Sequence, residues 1–362
     1  MRNKRINIAI VGVGNCVSSL VQGLDFYRNT GLSKNRITGL IFNQICGYKV
    51  SDITVVSAFD VNINKIGKKI SRAIFVEPNN AKCFFSDVFC NTIVKPGPVL
   101  DGLSIRTKKI IKCHKINKSL VKWRKDIVDN LKRNKVDILI SYLPVGSKKA
   151  SIFYADCALK ARVAYINAIP EFIASSNGYA KKFHKAGLPC AGDDIKSQVG
   201  ATIVHRVLTD LINKRGLAID NTYQLNVGGN LDFLNMLDED RLISKRISKT
   251  EAVTKNILSQ KFETRIGPSD YIQFLGDNKL CFIEINGKQF GDVPFKIDVK
   301  ISVEDSPNSA GAMVDVIRLL KVSLDRGLRG YQDFSAYYFK HPMFNLNDED
   351  ALSYVKKFIS DK

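Results

Sequence analysis

Asp193-Asp194-Ile195-Lys196-Ser197 places two carboxylates, an amine and a hydroxyl within five residues. A short apolar strand, Pro189 to Gly192, precedes it, and a long helical pattern follows from about Gln198 to Arg215. Helix capping accounts for one Ser or Asp at such a place. It does not account for all four groups, so the cluster reads as a site. The first N–H groups of the following helix, with Ser197 and Thr202, suit a substrate phosphate. Further on, Gly228-Gly229-Asn230-Leu231-Asp232 is a tight turn carrying two polar side chains. Lys245 and Lys249 stand four apart and share a face if their stretch is helical, where like charges normally repel. Such a pair suits an anionic intermediate, and crowding would depress its pKa values. Two solvated surface lysines are the equally open alternative.

A second constellation opens the chain. Ile6 to Val11 is an apolar run, Gly12-Val13-Gly14 follows, and helical spacing continues to Leu24. Strand, glycine turn and helix are how a dinucleotide-binding unit begins. The glycines let the backbone approach a pyrophosphate, and the free N–H groups at the helix start attract its charge. The basic Met1 to Arg5 raises a signal peptide as a rival, but glycines interrupt the apolar part and no small-residue cleavage site follows. Asn7, Asn15, Ser18, Ser19 and Gln22 are too polar for a membrane span. A second apolar strand, Ile53 to Phe59, ends at Asp60, whose carboxylate suits an adenosine ribose and favours NAD over NADP. Asp60 lies 46 residues beyond Gly14. The usual spacing is about 20, and an inserted surface segment from Asn29 to Tyr48 explains the excess.

The elements that must position these groups alternate. Helices are expected over Asn62 to Ile74, Ser119 to Asn134 and Lys148 to Ala161, with strands from Val136 to Leu143 and from Val163 to Asn167. That alternation predicts a doubly wound parallel α/β sheet. Ligands then lie beyond the carboxyl ends of the strands, where Asp60, Ser141 to Ser147 and Asn167 to Pro170 would sit. From Asp220 the character changes. Strands are expected at Tyr223 to Val227, Leu280 to Asn286 and Val293 to Glu304, with a turn at Ile266 to Asp270. Asp305-Ser-Pro-Asn-Ser-Ala-Gly caps a helix from Ala310 to Arg326.

The chain of 362 residues carries a net charge of +20, which raises nucleic-acid binding as a rival function. Arg106 to Lys135 holds twelve Lys or Arg against Asp126 and Asp129. No helix-turn-helix, zinc-finger or aromatic RNA-binding pattern accompanies it, so a solvated helix is the reading. The surface charge would also draw in an anionic substrate. The eight cysteines are scattered, with no C-x-x-C pair, and read as free thiols in a reducing cytoplasm.

Taken together, nine stretches in order resemble inositol-3-phosphate synthase in its short bacterial and archaeal form, closest to actinobacterial members. They are IVGVGNCVSSLVQG, AFDVN, SYLPVGS, GDDIKSQVGAT, LNVGGNLDFLNML, SKRISKT, IGPSD, FGDVP and EDSPNSAG, and they span nearly the whole chain. The resemblance implies an NAD-binding Rossmann domain over residues 1–200. An inserted α+β catalytic and tetramerisation domain would span 201–305, and a C-terminal segment over 306–362 would return to the first domain. It implies an isomerase acting on glucose 6-phosphate. Bound NAD oxidises C5, a C6 proton is removed, C6 attacks the C1 aldehyde, and C5 is reduced again.

Each of those steps puts negative charge on a sugar oxygen, which a preorganised cation stabilises. Carried across by motif, the cations are Lys245, Lys249, Lys279 and Lys340, with Lys196 beside them. Asp194, Asp232 and Asp305 would orient these amines or tune their pKa. The implied cofactor residues are Gly12, Gly14, Asn15, Cys16, Asp60, Ser141, Leu143, Pro144, Asn167, Asp193 and Ser197. Ser197, Gln198 and Thr202 would take the phosphate. Family members differ in their cation requirement; its identity stays unknown, and Asp305 with nearby oxygens is the one candidate position. A homotetramer is implied, and neither a specific nucleic acid nor a membrane partner. Two features depart from the family pattern: Val17 at the third fingerprint position, where Gly or Ala packs closest, and the lysine-rich stretch from Arg106. A dehydrogenase that releases NADH and a non-catalytic nucleic-acid-binding protein are the competing readings.

Overall fold

A computed structural model of the chain describes residues 4–29, 37–238 and 262–361. Its first layer is a sheet of seven strands: β1 (Ile6–Val11), β2 (Ile53–Asp60), β3 (Val94–Pro96), β4 (Ile138–Ser141), β5 (Ala164–Asn167), β6 (Pro189–Ala191) and β11 (Gly330–Tyr331). Their order is β11-β6-β5-β4-β1-β2-β3, and every pairing is parallel. The order runs outward in both directions from the β1/β4 junction, the switch point at which a doubly wound sheet opens a ligand crevice. The doubly wound expectation is therefore met. The strands are apolar on both faces because helices cover both sides. Ile8, Ile10, Ile138 and Ile140 belong to one core, whereas Ala9, Val11 and Leu139 belong to the other. Helices α1 (Asn15–Asn29), α3 (Leu120–Arg133), α4 (Lys148–Ala161) and α5 (Asn177–Lys185) lie on this sheet, and α2 (Ile70–Ala73) is a single turn.

The second sheet has the order β10-β9-β7-β8. It contains β7 (Ala218–Gly228), β8 (Glu263–Tyr271), β9 (Asn278–Lys288) and β10 (Pro294–Glu304). One face packs Ile219, Cys281, Ile283 and Ile285 against α6 (Ala201–Lys214). At the end of β7, Gly228 leads into α7 (Leu231–Asn235), whose N-cap Asn230 accepts the N–H groups of Asp232 and Phe233. The long α8 (Asp305–Asp325) then carries the chain back, and β11 joins β6. Short α9 (Ser335–Tyr338) and C-terminal α10 (Asp348–Ser360) close the chain.

Three sequence expectations need correction. The helix expected over 62–74 forms only at α2, because the chain turns at Gly67, in a left-handed conformation with φ +82°. The expected turn at 266–270 lies inside β8. β8 is an edge strand, and its register with β7 shifts immediately after the Asn226–Pro268 pair. The helix expected from Gln198 starts at Ala201, so 197–200 form a lead-in loop.

Arg318 of α8 is the largest fully buried side chain. It pairs with buried Asp315 and donates to the carbonyls of Phe42 (2.9 Å) and Asn43 (3.2 Å), so it organises the loop before β2. Replacing it strands a carboxylate and two carbonyls, which costs about 3–5 kcal/mol. Arg318→Met should lose that much stability in urea denaturation; a loss below about 1 kcal/mol would show that the pair does not hold this loop.

Candidate active site

The β1–α1 turn, the ends of β2 and β4, the 194–197 loop and the facing ends of β7, β9 and α8 enclose one cavity of about 310 Å³. Local chemistry builds each wall. Gly12 has φ +85°, and a Cβ there would lie 2.6 Å from the Tyr142 carbonyl oxygen. A Cβ on Gly14 would meet no protein atom within 4 Å and would project into open space in the cavity wall. The Val13 peptide is held from both sides. Its N–H donates to Asp60 Oδ2 at 2.7 Å, and its carbonyl accepts from Lys65 Nζ at 2.7 Å. The first-turn N–H groups of α1 have no partner within the helix. This cradle fits a dinucleotide: a bare glycine face, a helix N-terminus and a strand-end carboxylate converge on one crevice.

The cationic groups enter from the other walls. Lys340 Nζ lies 2.9 Å from Asp194 Oδ1, and both side chains are largely buried. Asp194 has φ +63°, a left-handed conformation that short polar side chains tolerate. Lys279 Nζ, on β9, lies 3.3 Å from Asp305 Oδ1 at the start of α8. Lys196 is buried, donates to the Ala336 carbonyl at 3.0 Å, and borders the cavity. Burial, with Arg206 nearby, pushes its amine down to about 7. Asp232, Ser197 and Thr202 also face the cavity. Six of the predicted catalytic groups (Lys196, Lys279, Lys340, Asp194, Asp232 and Asp305) thus line one cavity. Lys245 and Lys249 lie outside the described residues.

The predicted cofactor residues divide. Gly12, Gly14, Asn15, Cys16, Asp60, Leu143, Pro144 and Ser197 line the cavity. Ser141, Asn167 and Asp193 are completely buried and do not line it. Asp193 instead accepts from Asn167 Nδ2 (2.7 Å), the Ala174 and Ser175 N–H groups, and the Ser175 hydroxyl (2.7 Å), so it pins the loop after β5. Burial raises its carboxyl to about 7 against those four donors. Gln198 is exposed, and its amide donates to the Gly39 carbonyl outside the cavity, whereas Ser197 and Thr202 line the cavity. The Cys16 thiol is pushed up to about 12 by burial and by Asp277 and Asp305, so it stays neutral.

Sequence reading passed over Asp277, Lys65 and the Asn79-Asn80 pair. Asp277 is buried and accepts from Asn15 Nδ2 (2.9 Å), Asn230 Nδ2 (3.1 Å), and the Ser306 N–H and hydroxyl. Asn80 exchanges hydrogen bonds with Asn15 and donates to the Gly229 carbonyl. Asn230 carried a readable signal, a helix-capping residue after two glycines; the others show no local pattern.

The comparisons with known proteins agree with one another. A family model described as myo-inositol-1-phosphate synthase matches residues 200–306. The inositol-3-phosphate synthase of Mycobacterium tuberculosis is 48% identical, over 98% of this chain and 95% of that protein. The Corynebacterium glutamicum inositol-3-phosphate synthase is 46% identical, over 99% of both chains. Among solved structures, a myo-inositol-1-phosphate synthase-related protein from Thermotoga maritima superimposes with a TM-score of 0.82, at 24% identity over 99% of each chain, which supports the fold.

Gly12 and Gly14 separate two effects. Gly14→Ala should keep its melting temperature within about 2 °C, since the new Cβ meets no protein atom, yet weaken dinucleotide binding in calorimetric titration roughly tenfold or more. Gly12→Ala should lose both stability and binding, because the left-handed conformation alone costs about 1–3 kcal/mol. Unchanged dinucleotide affinity in Gly14→Ala would show that this cradle is not the binding site.

Proposed function

The chain belongs to the inositol-3-phosphate synthase family, and from that premise we propose that it is an NAD-dependent isomerase converting glucose 6-phosphate to inositol 3-phosphate within this single cavity. The observation that carries the proposal is the convergence of the glycine cradle with three buried or half-buried lysines, two of them each paired with an aspartate. NAD, when bound, supplies a hydride acceptor and then a hydride donor for the same sugar carbon. The chain's own groups do the rest.

Ser197 and Thr202, with the N-terminus of α6, seat the substrate phosphate. Lys340 and Lys279 hold negative charge on sugar oxygens as it develops, and Asp194 and Asp305 fix each ammonium in place. Their positions are set before substrate arrives, so little reorganisation is needed at the moment of reaction. Lys196 has the pKa of a group that can both give and take a proton near neutrality. Lys245 and Lys249 complete the set in this reading. Asp232 faces the same space and orients whichever amine approaches it. Among the described residues no three His, Cys, Asp or Glu cluster as a metal site, and the proposed chemistry is carried by lysine ammonium groups.

We read 1–200 and 306–362 as one cofactor domain and 201–305 as the catalytic insert; the pairing of β11 with β6 supports this division. The outer face of the second sheet exposes Leu225 and Phe282, an apolar patch that supports a homotetramer formed through it. The eight cysteines are free, which fits a cytoplasmic enzyme.

The decisive assay incubates the protein with NAD and glucose 6-phosphate. Inositol phosphate should accumulate without stoichiometric NADH, and steady NADH release would instead establish a net dehydrogenase. Lys340→Met and Lys279→Met should each lower kcat by roughly 10²–10³, the usual consequence of removing one oxyanion-stabilising group. Full turnover in both variants would refute these lysine roles.

A further inference from the structure

The C-terminal helix reaches the cavity lysine through one carboxylate. Asn347 caps α10, its side chain accepting the Asp350 N–H at 2.8 Å, which presents Asp348 in the first turn toward α6 and the 194–197 loop. Asp348 Oδ1 lies 3.4 Å from Arg206 Nη2 and 3.8 Å from Lys196 Nζ. Arg206 also donates to the Leu346 carbonyl, which fixes the chain just before α10. The Lys196 and Arg206 side chains are 3% and 7% exposed, whereas Asp348 is 30% exposed.

We propose that Asp348 is a positioning residue that keeps the Lys196 ammonium charged and aimed along the cavity wall. This rests on the reading that Lys196 serves the site. The charged and titratable groups around this pair come from each packed element. Arg206 on α6 and Lys340 after α9 repel the ammonium, and Asp348 on α10 attracts it. Asp210 on α6 acts on Arg206, and Tyr337 on α9 faces Asp348. Asp194 is committed to Lys340. Asp348 is therefore the anion that offsets two cations and the burial of Lys196. Without it, an amine already held near 7 loses its proton at still lower pH. The C-terminal helix would then tune a catalytic step although no α10 residue borders the cavity.

The sign of the effect follows directly. Activity that needs the ammonium is present below the Lys196 pKa and falls as pH rises through it. Asp348→Asn should move that alkaline limb of kcat about one unit toward acid, leaving roughly a tenth of wild-type kcat at pH 8, about half at pH 6 and near-wild-type kcat at pH 5. KM should change less than kcat. Asn347 still caps α10, so the melting temperature should hold. If D348N nevertheless unfolds, D348S is read in the same way. Lys196→Met, measured alongside, separates the two readings. An inactive K196M with an unmoved limb in D348N overturns the positioning role alone. A fully active K196M overturns the placement of Lys196 in the site.

Discussion

The Asp277 carboxylate is the constraint on which the rest of the site depends. It accepts from Asn15 at the start of α1, from Asn230 at the cap of α7, and from Ser306 at the start of α8. Those four donors belong to three residues, on the glycine cradle, at the end of β7 and on the return helix. One buried acceptor therefore registers the parallel sheet against the second sheet. Burial and Asp305 raise its carboxyl to about 6, so four donors must offset desolvation to keep it ionised at neutral pH. Lys279 stands two residues further along the chain, with its register set by the same strand. The glycine turn before α1 and the Lys279 amine are thereby held in one frame.

The lysines show how charge is made usable inside a protein. An isolated buried ammonium is costly and tends to lose its proton. Lys340 and Lys279 are each given a carboxylate within 3.3 Å, whereas Lys196 has only a carbonyl in direct contact and an anion at 3.8 Å. The first two each sit against a carboxylate, whereas burial draws the third down to about 7.

Much of this was legible in the residues. The strand-glycine-helix order named the cradle, Asp60 lay at the end of β2, and Asp193 to Ser197 marked the second wall. What was not legible depends on distance in the chain. Asp277 sits between a turn and a strand without a motif, and its partners are 262, 47 and 29 residues away. Lys65 falls in a stretch whose spacing suggested helix, and only the turn at Gly67 frees it to reach Val13. Adjacent Asp193 and Asp194 were both expected at the site, one toward the cofactor and the other toward the amines. The backbone turns one under the floor, against four donors, and the other into the cavity, against Lys340. One residue of register decides which carboxylate is structural.

Val17 shows the same dependence on distant packing. A Gly or Ala at that position lets the helix approach its strand most closely, so a valine should hold α1 away from β1. Yet Val17 is wholly buried in the core that includes Val13 and Leu20. The strand is not the only element that positions α1. The helix also packs along α8. The first turn of α8 in turn carries Asp305 to Lys279 and Ser306 to Asp277. A helix that shares its core with a neighbouring helix on the same sheet face does not rely on the smallest contact with the strand beneath it. The bulk of Val17 is filled by core, and the first turn of α1 still meets the cavity at Asn15 and Cys16. The return helix α8, late in the chain, thus packs against the helix that opens it.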